Sequence, residues 1–257
     1  MSIASEISRL NTAKAGIKSA IQNKGVSVPS SSKIDGYPSL INQIQTFDPY
    51  NGHAYVEIGG LKWATMNIGA NSVTDYGLYF QWGDTTGYLS SQCGSSGTTY
   101  AKPFDWADYK FGNGTSSPGA TGMTKYNASD SKTVLDLSDD AARANWGGSW
   151  RMPTVEECVA LGNAVNTTWT ADYQGSGVAG RICTDKTDSS KVLFFPACGF
   201  CGNGSLNNVG IFGYYWSRSL YSSDVQDAYH FSFIEFFVNW QYYIDRFYGF
   251  SVRGVVG

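Results

Sequence analysis

The stretch AYHFSFIEFFVNWQYYIDRFYGFSVRGV, residues 228–255, decides how this chain is read. Half of residues 233–250 are aromatic, yet Glu235, Asn239, Gln241, Asp245 and Arg246 break up the rings. The two ends alternate, as strands do. Tyr229, Phe231 and Phe233 share one side of an extended chain, with His230, Ser232 and Ile234 opposite. Tyr248, Phe250 and Val252 share another, opposite Gly249, Ser251 and Arg253. Each end therefore offers a large apolar face to a core. The middle, with Ile, Phe, Asn, Gln, Tyr and Asp in close succession, fits neither the strand nor the helix period. It is not a bilayer span, because no window reaches the roughly 18 apolar residues a membrane helix needs. A surface selected for binding has this mixed chemistry.

Working outward, YGLYFQWGD, KVLFFPACGF and GYYWSRS read as further short strands. HAYVEIGGLKWATMNIGA reads as two strands about a Gly59-Gly60 turn. WRMPTVEECVALGNAV carries the clearest helix start: Thr154 as N-cap, Glu156 and Glu157 at the positive helix end, and an apolar stripe of Val155, Cys158, Val159 and Leu161. Residues 84–130 are rich in Gly, Ser, Thr and Asn and read as a long insertion over one face.

Residues 1–45 differ from the rest. Ile3, Ile7, Leu10, Ile17 and Ile21 keep heptad-like spacing, with Lys14 in the vacant seam position. Gly25 ends this helix, and VSVPSSSKIDGYPSLINQI adds a turn and a short second helix. Two readings stand: an amphipathic helix lying on its own domain, or an oligomerising or docking arm.

The 257 residues carry a net charge of −3, with 15% charged residues, 30 Gly and 17 Tyr. Charge this sparse, below the usual quarter or so, suits a turn-rich β domain rather than a helical bundle. Lys and Arg are scattered, so no basic footprint for nucleic acid exists. MSIASEISRL lacks a basic n-region followed by an apolar run, so no secretory signal is expected. The five cysteines, Cys93, Cys158, Cys183, Cys198 and Cys201, are an odd number and read as reduced thiols made in a cytosol. CGFC at 198–201 has CxxC spacing, but no second pair accompanies it, and His53 and His230 are the only histidines. Buried thiols near a turn are the simpler reading.

YVEIGGLKWATMNIGA, WGGSWRMPTVEE, VLFFPACGF, YYWSRS and YGFSVRGV, in this order, resemble the bacterial major paralogous (FISUMP) domain family. That family is a branch of the C-type lectin-like fold related to the formylglycine-generating-enzyme domain. The C-terminal segment further resembles the variable proteins of diversity-generating retroelements, and the N-terminal segment is similar to those of phage tail receptor-binding proteins. The resemblance implies an α+β, C-type lectin-like fold with short antiparallel strands, few helices and long loops, preceded by an N-terminal helical arm. It implies a docking or oligomerisation arm over 1–46 and a ligand-binding domain over 47–257, with a variable segment at about 216–253.

In such systems an error-prone reverse transcriptase rewrites adenines in template codons that cannot become Gln, Glu, Lys, Met or Trp. Trp216, Gln226, Glu235, Trp240 and Gln241 are then fixed. The implied ligand-binding residues are Arg218, Leu220, Tyr221, Ser223, Val225, His230, Ser232, Ile234, Phe236, Phe237, Asn239, Tyr242, Tyr243, Ile244, Asp245 and Phe247. Trp216, Ser217, Trp240, Arg246, Gly249, Ser251, Val252 and Arg253 match the family frame as scaffold.

The implied partners are a bacterial cell-surface protein or glycan as ligand and phage tail proteins through the arm, with a homotrimer as the assembly. The protein is then made in the bacterial cytoplasm and carried in the virion, with no nucleic-acid partner and no membrane insertion. No cofactor, metal or catalytic residue is expected. The related enzymes need a reactive cysteine pair late in the chain, and nothing after Cys201 is a cysteine. Calcium-dependent sugar lectins of this fold use a Glu-Pro-Asn-type loop and a Trp-Asn-Asp triplet, and neither occurs here. The rival reading is a bacterial surface or adhesin-like protein with a fixed partner.

Overall fold

The computed structural model describes residues 2–22, 28–38, 50–94 and 102–257. The chain forms two compact units, Met1–Asp48 and Pro49–Gly257.

In the first unit the heptad pattern becomes one helix, α1 (Ile3–Gln22). Glu6 lies in its first turn, where the helix dipole favours an acid, and pairs with Arg9 at 2.5 Å. Ile3, Ile7, Leu10 and Ile17 all stay exposed. Ile21 alone of this seam is buried, against Val28 and Tyr37. Ile34–Gly36 forms a 3-10 turn. The Gly25 helix end, and most of the expected second helix, lie outside the described residues.

The second unit is α+β, with few helices and several small antiparallel sheets. Strands β1 (Tyr55–Ile58) and β2 (Leu61–Asn67) form the expected hairpin. Gly59 and Gly60 take φ of +62° and +79°, the left-handed geometry that a two-residue hairpin turn requires. Helix α2 spans Ala141–Trp146 and α3 spans Val155–Ala164. Thr154 is the expected N-cap of α3, and with Glu157 it closes a capping box: Thr154 Oγ1 accepts from the Glu157 amide at 3.3 Å, and Glu157 accepts from the Thr154 amide at 2.8 Å. Val155, Cys158 and Leu161 are its buried face.

Strands β3 (Val165–Thr170), β4 (Gly180–Asp185) and β5 (Val192–Pro196) form an antiparallel meander. β6 (Phe200–Gly202) and β7 (Ser205–Asn207) are a small ribbon. β8 (Gly213–Leu220), β9 (Asp227–Ile234) and β10 (Phe237–Asp245) form the sheet that holds the opening stretch, in the order β10-β9-β8. The last strand, β11 (Arg253–Val256), returns to pair with β2 and so brings the two ends of this unit into one sheet.

The core is ring-rich. Trp82, Phe80, Trp216 and Phe250 are buried together with Tyr109, Phe111, Met123 and Tyr126. The last four come from the segment expected to be a surface insertion, so its described part supplies core as well as cover. Each such side chain removed from water contributes about 1.5–3 kcal/mol. Buried charge is held by backbone. The Arg253 guanidinium donates to Asn67 Oδ1 at 2.9 Å, the Ala64 carbonyl at 2.9 Å and the Phe194 carbonyl at 3.0 Å, joining β11, β2 and β5. Asp140 caps α2 through the Arg143 amide at 3.0 Å and also accepts from the Met152 amide at 2.9 Å.

The cysteine reading is corrected. Cys93 and Cys201 form a disulfide with their Cα atoms 5.6 Å apart, across 108 residues of sequence. Cys158, Cys183 and Cys198 are free and buried. The CxxC spacing therefore reports no bond between its own two members, because the fold brings Cys93 alongside Cys201 instead.

Candidate functional site

The hairpin β9–β10 turns at Glu235 and Phe236, with Ile234 opposite Phe237. β10 is an edge strand, and it and the turn before it carry the most exposed rings of the described chain. Phe236, Phe237, Tyr242 and Tyr243 are 85%, 57%, 52% and 41% exposed. At the same time β9 is covered on both faces. Phe231 packs on Phe195 of β5 and on Tyr215, with ring centroids 5.1 and 4.9 Å away. On the other face His230 meets Phe250 at 5.2 Å and Trp216 at 5.9 Å.

Two irregularities set which side chains emerge. In β10, Asn239 pairs with Ser232 and Tyr242 with His230, so Trp240 and Gln241 together face Phe231 alone. This bulge changes the phase of the strand. Trp240 turns in, 5.3 Å from the Phe231 ring and against Gly162 of α3, where a Cβ would come within 2.5 Å of the indole. Gln241 is exposed, and the pair Tyr242 and Tyr243 both reach solvent. In β8, three residues between Trp216 and Leu220 face the single residue Tyr229.

The far end of the sheet has a second grouping. Tyr221, just after β8, stacks on Tyr243 with centroids 3.8 Å apart, and Tyr242 stacks beside Tyr243 at 5.5 Å. The Tyr221 hydroxyl, through hydrogen bonding, raises the Tyr243 pKa. Asp227 and Asp245 are cross-strand partners at this end. Burial, then Asp245 and Asp224, push the Asp227 carboxyl up to about 6, although Arg246 opposes the shift. Burial and Asp224 also raise Asp245.

The implied residues separate by environment. Tyr221, Ser223, Phe236, Phe237, Tyr242 and Tyr243 present exposed or half-exposed surface. Ser232, Ile234, Asn239 and Asp245 are half-buried on the strands. Val225 and Ile244 are also half-buried and pack against the core. Arg218 donates to the Leu135 carbonyl and lies 3.8 Å from Asp140, which ties it to the scaffold.

Leu220, His230 and Phe247 are a correction: they are 5%, 1% and 5% exposed and cannot face a ligand. Alternation placed His230 outward, but the segment holding Phe250 covers that face, and burial drives the imidazole pKa down to about 3. Its ring is enclosed by Trp216 and Phe250, so His230 is placed neither to touch ligand nor to act as a base. Phe247 packs on Trp106 at 5.0 Å.

Residues outside the opening stretch complete the surface. Arg181 of β4 donates through one guanidinium nitrogen to the carbonyls of Ile234, Glu235 at 3.1 Å and Phe237 at 3.3 Å. It also lies over the Trp169 ring at 5.8 Å. One buried cation thus holds the hairpin turn by its backbone, whatever side chains the turn carries. Trp169, Ile211 and Phe212 stand next to the turn and, with Ile234, Glu235 and Phe236, enclose a concavity of about 230 Å³. Nothing in the sequence pattern marks Arg181, because its role depends on a contact across 53 residues. Among the described residues no group of three or more His, Cys, Asp or Glu side chains is placed to hold a metal. No protein-family model, curated protein or solved structure matches this chain.

Proposed function

We propose that this is a non-enzymatic ligand-binding protein, in which a rigid C-type lectin-like scaffold displays variable side chains. It works as a diversity-generating retroelement variable protein in a phage tail, recognising a protein or glycan on a bacterial surface. The observation that carries the reading is the hairpin itself. Phe236 in the turn and Phe237, Tyr242 and Tyr243 on the edge strand are exposed, while the neighbouring β9 is packed on both faces. Clustered exposed rings mark interaction sites. Tyr supplies large contact area at low entropy cost, as in antibody paratopes. The backbone anchor at Arg181 suits a surface whose side chains change while its shape does not.

The exposed seam of α1 supports the arm as a docking or trimer-forming element, since Ile3, Ile7, Leu10 and Ile17 present an exposed apolar stripe. Several copies would then raise a weak single-site affinity through effective concentration. The Cys93–Cys201 disulfide favours a working environment outside the reducing cytosol. It also fits the second reading, a fixed bacterial surface adhesin.

One experiment separates these readings. The gene is sequenced beyond its 3′ end, and fluorescently labelled protein is incubated with a panel of bacterial strains. A near-copy of the 3′ segment with adenine-rich codons at the exposed positions, beside a reverse transcriptase gene, supports diversification. Its absence sinks diversification and leaves the adhesin. Cell binding that survives Phe236→Ser/Phe237→Ser/Tyr242→Ser/Tyr243→Ser sinks the hairpin as the ligand surface under either reading.

A further inference from the structure

The hairpin turn and its surroundings say more about the ligand than exposure alone. The concavity beside the turn is assembled from three separate parts of the chain: Trp169 of β3, the 210–212 turn before β8, and the β9–β10 turn itself. Its volume, about 230 Å³, falls below the roughly 300–1,000 Å³ of small-molecule pockets. It matches instead the scale of one side-chain anchor, the unit by which interface hot spots engage pockets on a partner. Its lining is apolar except for Glu235 and backbone groups. Ile211 and Phe236 stand exposed on its rim at 57% and 85%. A sugar needs several converging polar groups and would find few here.

Charge narrows the choice further. Glu235 is exposed and makes no ion pair among the described residues. The nearby Arg181 spends its hydrogen bonds on the carbonyls of the turn, including that of Glu235, and not on the carboxylate. The result is an open, largely apolar concavity, already shaped in the structure, with an exposed carboxylate at its edge. Preformed sites avoid the ordering cost of binding.

We propose that this concavity receives one large apolar side chain of a protein ligand, with a basic residue of that ligand placed against Glu235. The inference rests on reading the hairpin as the ligand surface and adds the chemical class of what it binds. Trp169, Ile211 and Phe212 lie outside the 216–253 segment and Glu235 is a fixed position within it, so one wall of the socket and its charge are constant while Ile234 and Phe236 vary.

The test is a series of amide correlation spectra of the full chain, titrated with three probes: acetyl-Lys-Trp-Lys-amide, acetyl-Glu-Trp-Glu-amide and a chitin oligosaccharide. The basic peptide is expected to move the Trp169 indole and Gly210 signals. It should do so at about two- to fivefold lower concentration than the acidic peptide, the range one exposed ion pair supplies. Glu235→Gln should erase that preference, and Ile211→Asp should abolish the shifts for both peptides, with circular dichroism verifying that each variant is folded.

Peptides that leave Trp169 and Gly210 unmoved overturn the proposal. So does a preference that survives Glu235→Gln. Oligosaccharide shifts at Tyr242 and Tyr243, with no peptide shifts at the socket, overturn it while keeping the hairpin as the ligand surface. Peptide binding at the socket, together with cell binding that survives loss of the four exposed rings, keeps the socket and overturns the wider surface.

Discussion

Tyr221 and Tyr243 lie face to face with their ring centroids 3.8 Å apart and their planes 4° from parallel. They come from opposite sides of β9, one following β8 and one on β10, and their contact closes one end of the sheet over Tyr229, whose ring is 5.4 Å from Tyr221. The Phe236 and Phe237 rings occupy the other end of β10. Tyr242 is five residues from Phe237, a distance of about 17 Å along a strand. The candidate surface thus has two ring clusters joined by one edge strand.

The exposed rings and their buried neighbour Phe247 should respond differently to truncation. Phe236→Ala should change unfolding free energy by less than about 1 kcal/mol, because that side chain is 85% exposed, and Tyr242→Ala, at 52% exposed, should cost about 1–2 kcal/mol. Phe247→Ala should cost about 3–5 kcal/mol, as removal of a core ring does. Urea unfolding of the three variants measures this, and equal losses would refute the division into surface and core.

Arg181 should act on the hairpin turn more than on the fold. Arg181→Met keeps the side-chain stem but removes the donors to Ile234, Glu235 and Phe237. Amide exchange at residues 234–238 should speed up by about tenfold or more, since bonds from a charged donor are worth about 1.5–3 kcal/mol each. Exchange in β2 and β11 should stay as it was. A uniform increase across the chain would show that Arg181 supports the whole domain and has no special hold on the turn.

Two buried groups pull stability in opposite directions with pH. The His230 imidazole titrates at about 3 in the fold, against about 6.5 when unfolded. Its stabilising term is present above pH 6.5 or so and is lost progressively below it, because the unfolded chain takes up the proton first. Asp227 titrates at about 6 in the fold, against about 3.9 unfolded. The folded chain takes up that proton first, so stability is gained as pH falls from about 6 towards 4.

His230 is fully buried and Asp227 only half-buried, so solvent screening weakens the aspartate and the histidine dominates. The melting temperature should fall between about pH 6.5 and 4.5. His230→Leu should reverse the slope, and adding Asp227→Asn should flatten it. An unchanged slope in His230→Leu would rule out the imidazole as its source.

The seam on α1 should control assembly. Light scattering on the full chain should give a multiple of the full-chain mass, the 50–257 fragment should be a monomer, and Ile7→Ser/Leu10→Ser should reduce the full chain to a monomer. Lys14→Ile should make the assembly harder to dissociate, because a charge at a seam position sets register at a cost in stability. The same number of subunits for the full chain and the 50–257 fragment would refute oligomerisation through the arm.

The disulfide should contribute measurably. Cys93→Ser should lower unfolding free energy by about 2–5 kcal/mol. The same loss should appear in the unsubstituted protein under reductant, and no difference between oxidised and reduced protein would contradict the bond.

Much of the local structure was legible in the sequence. The Thr154 N-cap of α3, the Gly59-Gly60 hairpin, the heptad helix and the short strand in KVLFFPACGF each depend on residues close together in the chain. Capping, turn geometry and side-chain period act over that range. Glycine at a left-handed turn or threonine ahead of a helix needs no distant partner to have its effect.

Burial is not local, and there the tertiary structure decided. Alternation could divide β9 into two faces but could not show that both are covered, so His230 looked displayed and is core. The β10 bulge shifted the strand phase, turned Trp240 inward and left Tyr242 and Tyr243 both in solvent. Arg181, Trp169 and Cys93 gained their roles only when residues 53 to 108 positions away arrived beside them. The sequence by itself determined which side chains were available and which segments would be strands or helices. Which rings pack and which face outward was decided by long-range packing, because burial depends on the atoms that surround a side chain in space.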